Sequence, residues 1–276
     1  MSEQPGYTDI VVTVEDPVAV IRLNRPETLN AFTYHTLGEI RRALEGAVAD
    51  PAVVGIVVTG TGRGFCSGLD ARTLADITAD RGQERQASRT AARDELPGLF
   101  SYFLALPKPI IAAVNGVAAG GGLVLAVASD VRFASTSASF TTAFLRRGLI
   151  AEHGTSWLLP RLVGTGRALD LLWTSRRIDA AEAHRIGLVE YLCQPEELVA
   201  SACAYVRGLA ETAAPLAMAD SKRLVYRHFG TGFEQAYREA DEAQWRAVAR
   251  PDAAEGARAL LERRAPRFQR MGQQAD

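Results

Sequence analysis

The segment "VNGVAAGGGLVLAVASD", Val114 to Asp130, constrains the fold more than any other stretch. Gly120, Gly121 and Gly122 stand in a row and open a run that is apolar on every side. Helix propensity opposes that placement by roughly 1 kcal/mol per glycine relative to alanine. A helix without a polar face is buried on all sides. Glycines at its start serve one of two needs: close packing of backbone on a neighbouring strand, or free N–H groups at the positive end of the helix dipole. Either need requires other layers of structure around this helix.

The surrounding sequence supplies them. Alternation in "TDIVVTVED" and "VAVIRLNRP" predicts a hairpin turning at Glu15, Asp16 and Pro17. Leu37, Ile40, Leu44 and Val48 recur at helical spacing within "TYHTLGEIRRALEGAVAD". "VVGIVVTG" and "KPIIAAVNG" read as buried strands, and "VRFAS" as a short one. Between the first two lies "ITADRGQERQASRTAARDEL", polar and rich in Arg, expected as a mobile edge and part of a helix. Strands alternating with helices define an α/β class. From about Pro195 the pattern changes. Helices are expected over about 196–211, 215–228, 232–249 and 252–264, without strands between them. The chain therefore divides into an α/β core over residues 1–195 and a helical region over 196–276, which packs on the core or on a neighbouring subunit.

A length of 276 residues with 47% hydrophobic content suffices for one large core with an appendage. A formal net charge of -1 gives no reason to expect a nucleic-acid or membrane-surface partner. No apolar run reaches the ~18 residues of a membrane span, and "MSEQPGYTDI" lacks the regions of a signal peptide. Cys66, Cys193 and Cys203 form no CxxC and no ligand cluster. Free thiols in a reducing cytoplasm, and no structural metal, are expected.

A second glycine-rich segment, "TGTGRGFCSGLDART", follows the strand that ends near Thr59. It is no Walker loop, because no Gly-Lys-Ser/Thr follows, and its third glycine is misplaced for a dinucleotide fingerprint. It reads either as a loop that needs flexibility or as a second set of exposed backbone donors. Two loops after two strands, each presenting N–H groups, can hold one carbonyl oxygen that becomes negative during reaction.

The sequence resembles the crotonase, or enoyl-CoA hydratase/isomerase, superfamily. The resemblance rests on "LNRPETLNAF", "IVVTGTGRGFCSGLD", "KPIIAAVNGVAAGGGLVLAVASD" and "RRIDAAEAHRIGLVEYL". It implies a crotonase-like spiral of ββα turns, a homotrimer or dimer of trimers built through the C-terminal helices, and an acyl-CoA substrate. Coenzyme A is then part of the substrate, and no separate cofactor is implied. The family's two oxyanion donors fall on the backbone N–H groups of Leu69 and Gly121. Its adenine pocket falls on backbone around Leu29, Asn30, Ser67 and Asp70. A basic residue near the phosphates falls on Arg72, with Arg25 as a possible helper or a solvated charge.

The family's hydratases use two glutamates holding one water. Here those positions are Val124 and Phe144, and an apolar residue can neither orient water nor carry a proton. Eight residues beyond Phe144 stands Glu152, in "AEHGT". That slot resembles the one carrying an aspartate in dienoyl-CoA isomerases, in the ring-epoxide isomerase of phenylacetyl-CoA breakdown and in chlorobenzoyl-CoA dehalogenase. One carboxylate beside a thioester suffices to shuttle a proton between two carbons, which is double-bond isomerisation. The plainer reading of Glu152 is an acidic residue at a helix N-terminus. His153 is expected to point away from it as a structural donor. Ser67 and His153 as a hydrolase pair lack a GxSxG elbow. An atypical hydratase, an acyl-CoA hydrolase or C–C bond-cleaving enzyme, and a non-catalytic acyl-CoA binder stay open. Phe144, Leu145, Trp157 and Val124 are the candidate acyl-pocket residues, which suggests an apolar or ring-bearing acyl chain.

Overall fold

Hydrophobic alternation produces the first element pair. β1 (Ile10–Glu15) and β2 (Val18–Leu23) pair antiparallel across the predicted turn, with Ile10 opposite Leu23 and Glu15 opposite Val18. The computed structural model describes residues 6–79 and 99–272. α1 (Tyr34–Ala49) follows, capped by Thr33, whose side chain accepts from the Thr36 amide. It buries Ile40, Ala43, Leu44 and Ala47 against the hairpin side of the core.

β3 (Gly55–Gly60) is buried at every position. The reason is that both faces of its sheet are covered. Ile56 and Val58 join the main core, whereas Val57 faces a second cluster with Ile111, Ala113 and Phe133.

From β3 onward the chain repeats one move. A long strand is followed by a short strand in a second sheet, and then by a helix. β3, β4 (Gly64–Cys66) and α2 (Ala71–Ala79) make the first turn. β5 (Ile110–Val114), β6 (Val117–Ala119) and α3 (Gly121–Ala128) make the second. β7 (Val131–Ser135), β8 (Ser139–Thr141) and α4 (Thr155–Val163) make the third. After α5 (Thr165–Thr174), β9 (Ile178–Asp179), α6 (Ala180–Arg185) and β10 (Tyr191–Cys193), the two sheets read β1-β2-β3-β5-β7-β10 and β4-β6-β8-β9. Each turn adds one parallel strand to each sheet. This is the expected α/β spiral of ββα turns. Its consequence for chemistry is that the loops leaving β4, β6 and β8 emerge side by side.

The four expected C-terminal helices are α7 (Leu198–Thr212), α8 (Pro215–His228), α9 (Phe233–Val248) and α10 (Pro251–Glu262). The expected boundary near residue 195 falls between β10 and α7. Yet α7 belongs to the packing of the core: Leu198, Ala202, Cys203 and Val206 cover the second face of the large sheet. Burying a large aliphatic side chain contributes roughly 1.5–3 kcal/mol, so α7 holds that face closed. α8 is tied down by a polar hub. Lys222 Nζ lies 2.7 Å from Asp130 Oδ2, and the Tyr226 hydroxyl donates to Asp130 Oδ1 at 2.9 Å. Most of the Arg-rich stretch lies within 80–98, outside the described residues.

Candidate active site

The loops after β4 and β6 touch through their glycines. Gly68 has φ +98°, and a Cβ there would lie 2.8 Å from the Ala119 carbonyl oxygen and 3.2 Å from the Gly121 nitrogen. Leu69 forms a one-residue parallel bridge with Phe32. Phe32 N donates to Gly68 O at 2.9 Å, and Asp70 N to Phe32 O at 3.0 Å. In such a bridge the flanking residues supply the hydrogen bonds, so the N–H of Leu69 itself faces the other way. Gly120, at φ 52° and ψ -119°, turns the chain into α3 and donates to Thr141 O at 3.1 Å. Gly121 is then the first residue of α3, where an amide has no intrahelical acceptor. Among the described residues neither the Leu69 nor the Gly121 amide donates to a protein acceptor. Two fixed donors on touching loops can stabilise a developing oxyanion.

Cys66 packs against Gly122, the residue after Gly121. Burial pushes its thiol up to about 12, against the opposing effect of the Gly68 amide that donates to its sulfur. It is a packing residue, not a nucleophile.

On the other side of the loop, side chains hold backbone in place. Leu29 and Asn30 both have left-handed φ, 54° and 58°. The buried Asn30 side chain donates to Thr61 O at 2.9 Å and Gly64 O at 2.7 Å, and accepts from Arg25 N. Ser67 N donates to Leu29 O at 3.0 Å, and Ser67 Oγ to Thr28 O at 2.9 Å. The Ser67 hydroxyl thus serves the loop. Asp70 Oδ1 accepts from Arg72 N, and Arg72 is exposed at the start of α2. Arg25 is committed to the fold. It donates to Ala31 O at 2.6 Å and stands 4.0 Å from Asp9 and 3.7 Å from Asp70. Its two carboxylate neighbours come from distant parts of the chain, so sequence alone did not show this.

The third loop carries the carboxylate. Val124 in α3 is buried, and so is Phe144, whose ring edge lies 4.0 Å from the point where a Gly120 Cβ would stand. Glu152 sits on the turn before α4. Its amide donates to Ile150 O, its carbonyl accepts from Thr155 N, and its side chain is 35% exposed. His153 does not point away as expected: its Nε2 is 3.7 Å from Glu152 Oε2. The cause is the left-handed backbone at His153, φ 54°, which breaks the alternation of neighbouring side chains. Trp157 packs against the C-terminal region: its ring centroid is 5.3 Å from that of Phe229 in the turn after α8, and the Arg161 guanidinium lies 4.1 Å from it.

Sequence reasoning missed two walls. A Cβ on Gly121 would meet Phe32 Cζ at 2.4 Å and Leu99 Cδ1 at 3.2 Å. Phe32 closes the quoted motif "LNRPETLNAF", so a signal existed; for Leu99 there was none. Among the described residues no cluster of His, Cys, Asp and Glu is set to hold a metal ion, and no helix is long and apolar enough to cross a membrane.

A family model described as enoyl-CoA hydratase/isomerase matches residues 13–271. The chain belongs to that family, whose enzymes act on acyl-CoA thioesters. A crotonyl-CoA hydratase of Syntrophomonas wolfei is 35% identical over 264 residues, covering 95% of this chain and 98% of the relative. A 1,2-epoxyphenylacetyl-CoA isomerase of Escherichia coli is 38% identical over 202 residues, covering 73% and 76%. Among solved structures, an enoyl-CoA hydratase from Bacillus anthracis superposes with a TM-score of 0.86 at 29% identity, covering 95% of this chain and 99% of that one.

Proposed function

We propose that this protein isomerises a double bond in the acyl group of a CoA thioester, with Glu152 as the acid–base group. The observation that carries this reading is the content of α3 and the third loop. Val124 and Phe144 are buried and apolar, and the loop supplies one carboxylate, Glu152, paired with His153. The thioester carbonyl rests on the amides of Leu69 and Gly121. Glu152 takes a proton from one acyl carbon, and the freed electron pair delocalises onto the carbonyl oxygen as a dienolate. The same carboxyl group returns the proton to a carbon further along, and the double bond moves. His153 holds the carboxylate in place. Leu29, Asn30, Ser67 and Asp70 shape the nucleotide end of the site, with Arg72 near the phosphates. The apolar surfaces of Phe144 and Leu145 favour an apolar part in the acyl chain.

The isomerase relative supports this reading; the hydratase relative makes hydration the outcome to test against. Incubating the protein with crotonyl-CoA and with 2,3- and 3,4-enoyl-CoA isomers, followed by chromatographic separation of the isomers and mass spectrometry, separates the two. Interconverted isomers and negligible hydrate are expected. Hydration of crotonyl-CoA at ordinary enzyme rates, ~10 per second or more, contradicts the proposal. We also propose a homotrimer, or a dimer of trimers, built through α9 and α10. Their exposed Phe233, Tyr237, Trp245, Leu260 and Leu261 support it.

A further inference from the structure

Two arginines follow Phe144 in sequence, and the short 3-10 turn of Leu145–Arg147 sends them to different sides. Arg146 donates to the Thr174 carbonyl at the end of α5, 3.2 Å away. Arg147 turns to the glycine loop. Its Nη1 lies 3.8 Å from the point where a Gly120 Cβ would stand, and the Phe144 ring edge is 4.0 Å from the same point. Gly120 directly precedes the Gly121 amide. The backbone that aims Arg147 is fixed: Arg147 N and Leu149 N both donate to Phe144 O, at 2.9 and 3.1 Å, and Gly148 closes the turn at φ 70°. Among the described residues the Arg147 guanidinium has no ion pair and no hydrogen-bond partner. The Glu152 carboxylate instead stands 3.7 Å from His153 Nε2.

An exposed guanidinium thus stands beside Gly120 and the Phe144 ring, one residue from the Gly121 amide. We propose that Arg147 is a specificity-determining residue, and that the acyl groups this protein selects carry a carboxylate. The inference rests on the reading of Leu69 and Gly121 as the thioester site. A guanidinium presents a planar fork of donors that matches a carboxylate. An uncharged acyl chain that reached the same place would strip water from the cation and return nothing. The carbonyl oxygen has two amide donors of its own, which leaves the guanidinium for a second anionic group.

The test is binding, not turnover. Glutaryl- and adipyl-CoA are compared with pentanoyl- and hexanoyl-CoA by calorimetry, on the parent protein, Arg147→Gln and Arg147→Lys. Circular dichroism confirms the fold of each variant. The parent is expected to bind a carboxylated thioester about tenfold more tightly than its apolar match at one or both lengths, the worth of a charged hydrogen bond. Arg147→Gln should abolish that preference and leave the apolar thioesters nearly unchanged, while Arg147→Lys keeps part of it. Absence of a preference in the parent at both lengths overturns the proposal. So does a preference that survives Arg147→Gln, or an equal weakening of all four ligands, which would assign Arg147 to the CoA portion. Proton transfer plays no part in these measurements, so their failure leaves the isomerase reading standing. A failure of isomerisation leaves them equally readable.

Discussion

A Cβ on Gly121 would stand 2.4 Å from Phe32 Cζ, and one on Gly122 would stand 2.0 Å from the Cys66 carbonyl oxygen. The glycine triplet therefore meets both needs raised by its sequence, close packing and a free amide. This decides how the oxyanion role is tested. Gly121→Ala adds the colliding carbon and keeps the N–H; Gly121→Pro adds it and removes the N–H. The alanine variant should lose about 1–3 kcal/mol of stability through overpacking. The proline variant should lose a further ~10²–10³ in kcat, the usual effect of one missing oxyanion donor. Equal turnover of the two variants, both folded by circular dichroism, would contradict the role of this amide. At this scale the sequence was partly legible. The misfit of three glycines in an apolar helix pointed to the candidate site, and Glu152 stood out in an apolar run. The direction of His153 depended on a left-handed φ, and the turn of Arg147 toward Gly120 depended on packing between segments far apart in the chain.

Among the elements, α1 shows how one buried charge closes a helix. Lys108 is 1% exposed, and its Nζ donates to Ala47 O at 3.0 Å and Asp50 O at 2.7 Å. These are orphan carbonyls at the negative end of α1. Burial pushes the Lys108 amine down to about 8, with Asp50 opposing the shift and Arg270 adding to it. Below that pH the folded and unfolded chains both hold the proton, and stability does not depend on this group's titration. Between about 8 and the ordinary lysine value of ~10.4 the unfolded chain keeps a proton that the folded chain has released. Stability therefore rises with pH across this window, by at most about 1.4 kcal/mol per unit. Urea unfolding of the parent and Lys108→Met from neutral pH to pH ~10 should show the parent gaining on the variant only in that window. Parallel curves would contradict the assignment. The hairpin, α1, β3, β5, α3, β7 and the four last helices were all legible, because each carries enough residues to show a period. The second sheet was not. Its strands β4, β6, β8 and β9 have only two or three residues each, and they form by pairing with neighbours distant in sequence, parallel from β4 to β8 and antiparallel between β8 and β9.

At the scale of the whole molecule, α9 and α10 present apolar side chains to the outside: Phe233 is 84% exposed and Leu261 85%. A single protomer gains nothing from these positions, whereas the proposed trimer would bury them between copies. Removing everything from Ala214 onward would also remove Lys222 and Tyr226 and strand Asp130, so loss of solubility would be ambiguous. Point changes are cleaner. Phe233→Asp with Leu261→Asp should shift the protein to monomers in light scattering without loss of helical signal. A trimer or hexamer untouched by both changes would contradict the proposed interface.

The central claim is that one carboxylate performs the chemistry on a carbonyl held by Leu69 and Gly121. The most direct measurement is solvent deuterium incorporation into the acyl chain, read by mass spectrometry for the parent, Glu152→Gln and His153→Ala, beside a binding titration of the same thioester. Glutamine keeps the size and hydrogen bonding of Glu152 and removes only the base. The account predicts that Glu152→Gln binds the thioester as the parent does and loses exchange, while His153→Ala loses much less. Exchange in Glu152→Gln as fast as in the parent would contradict it.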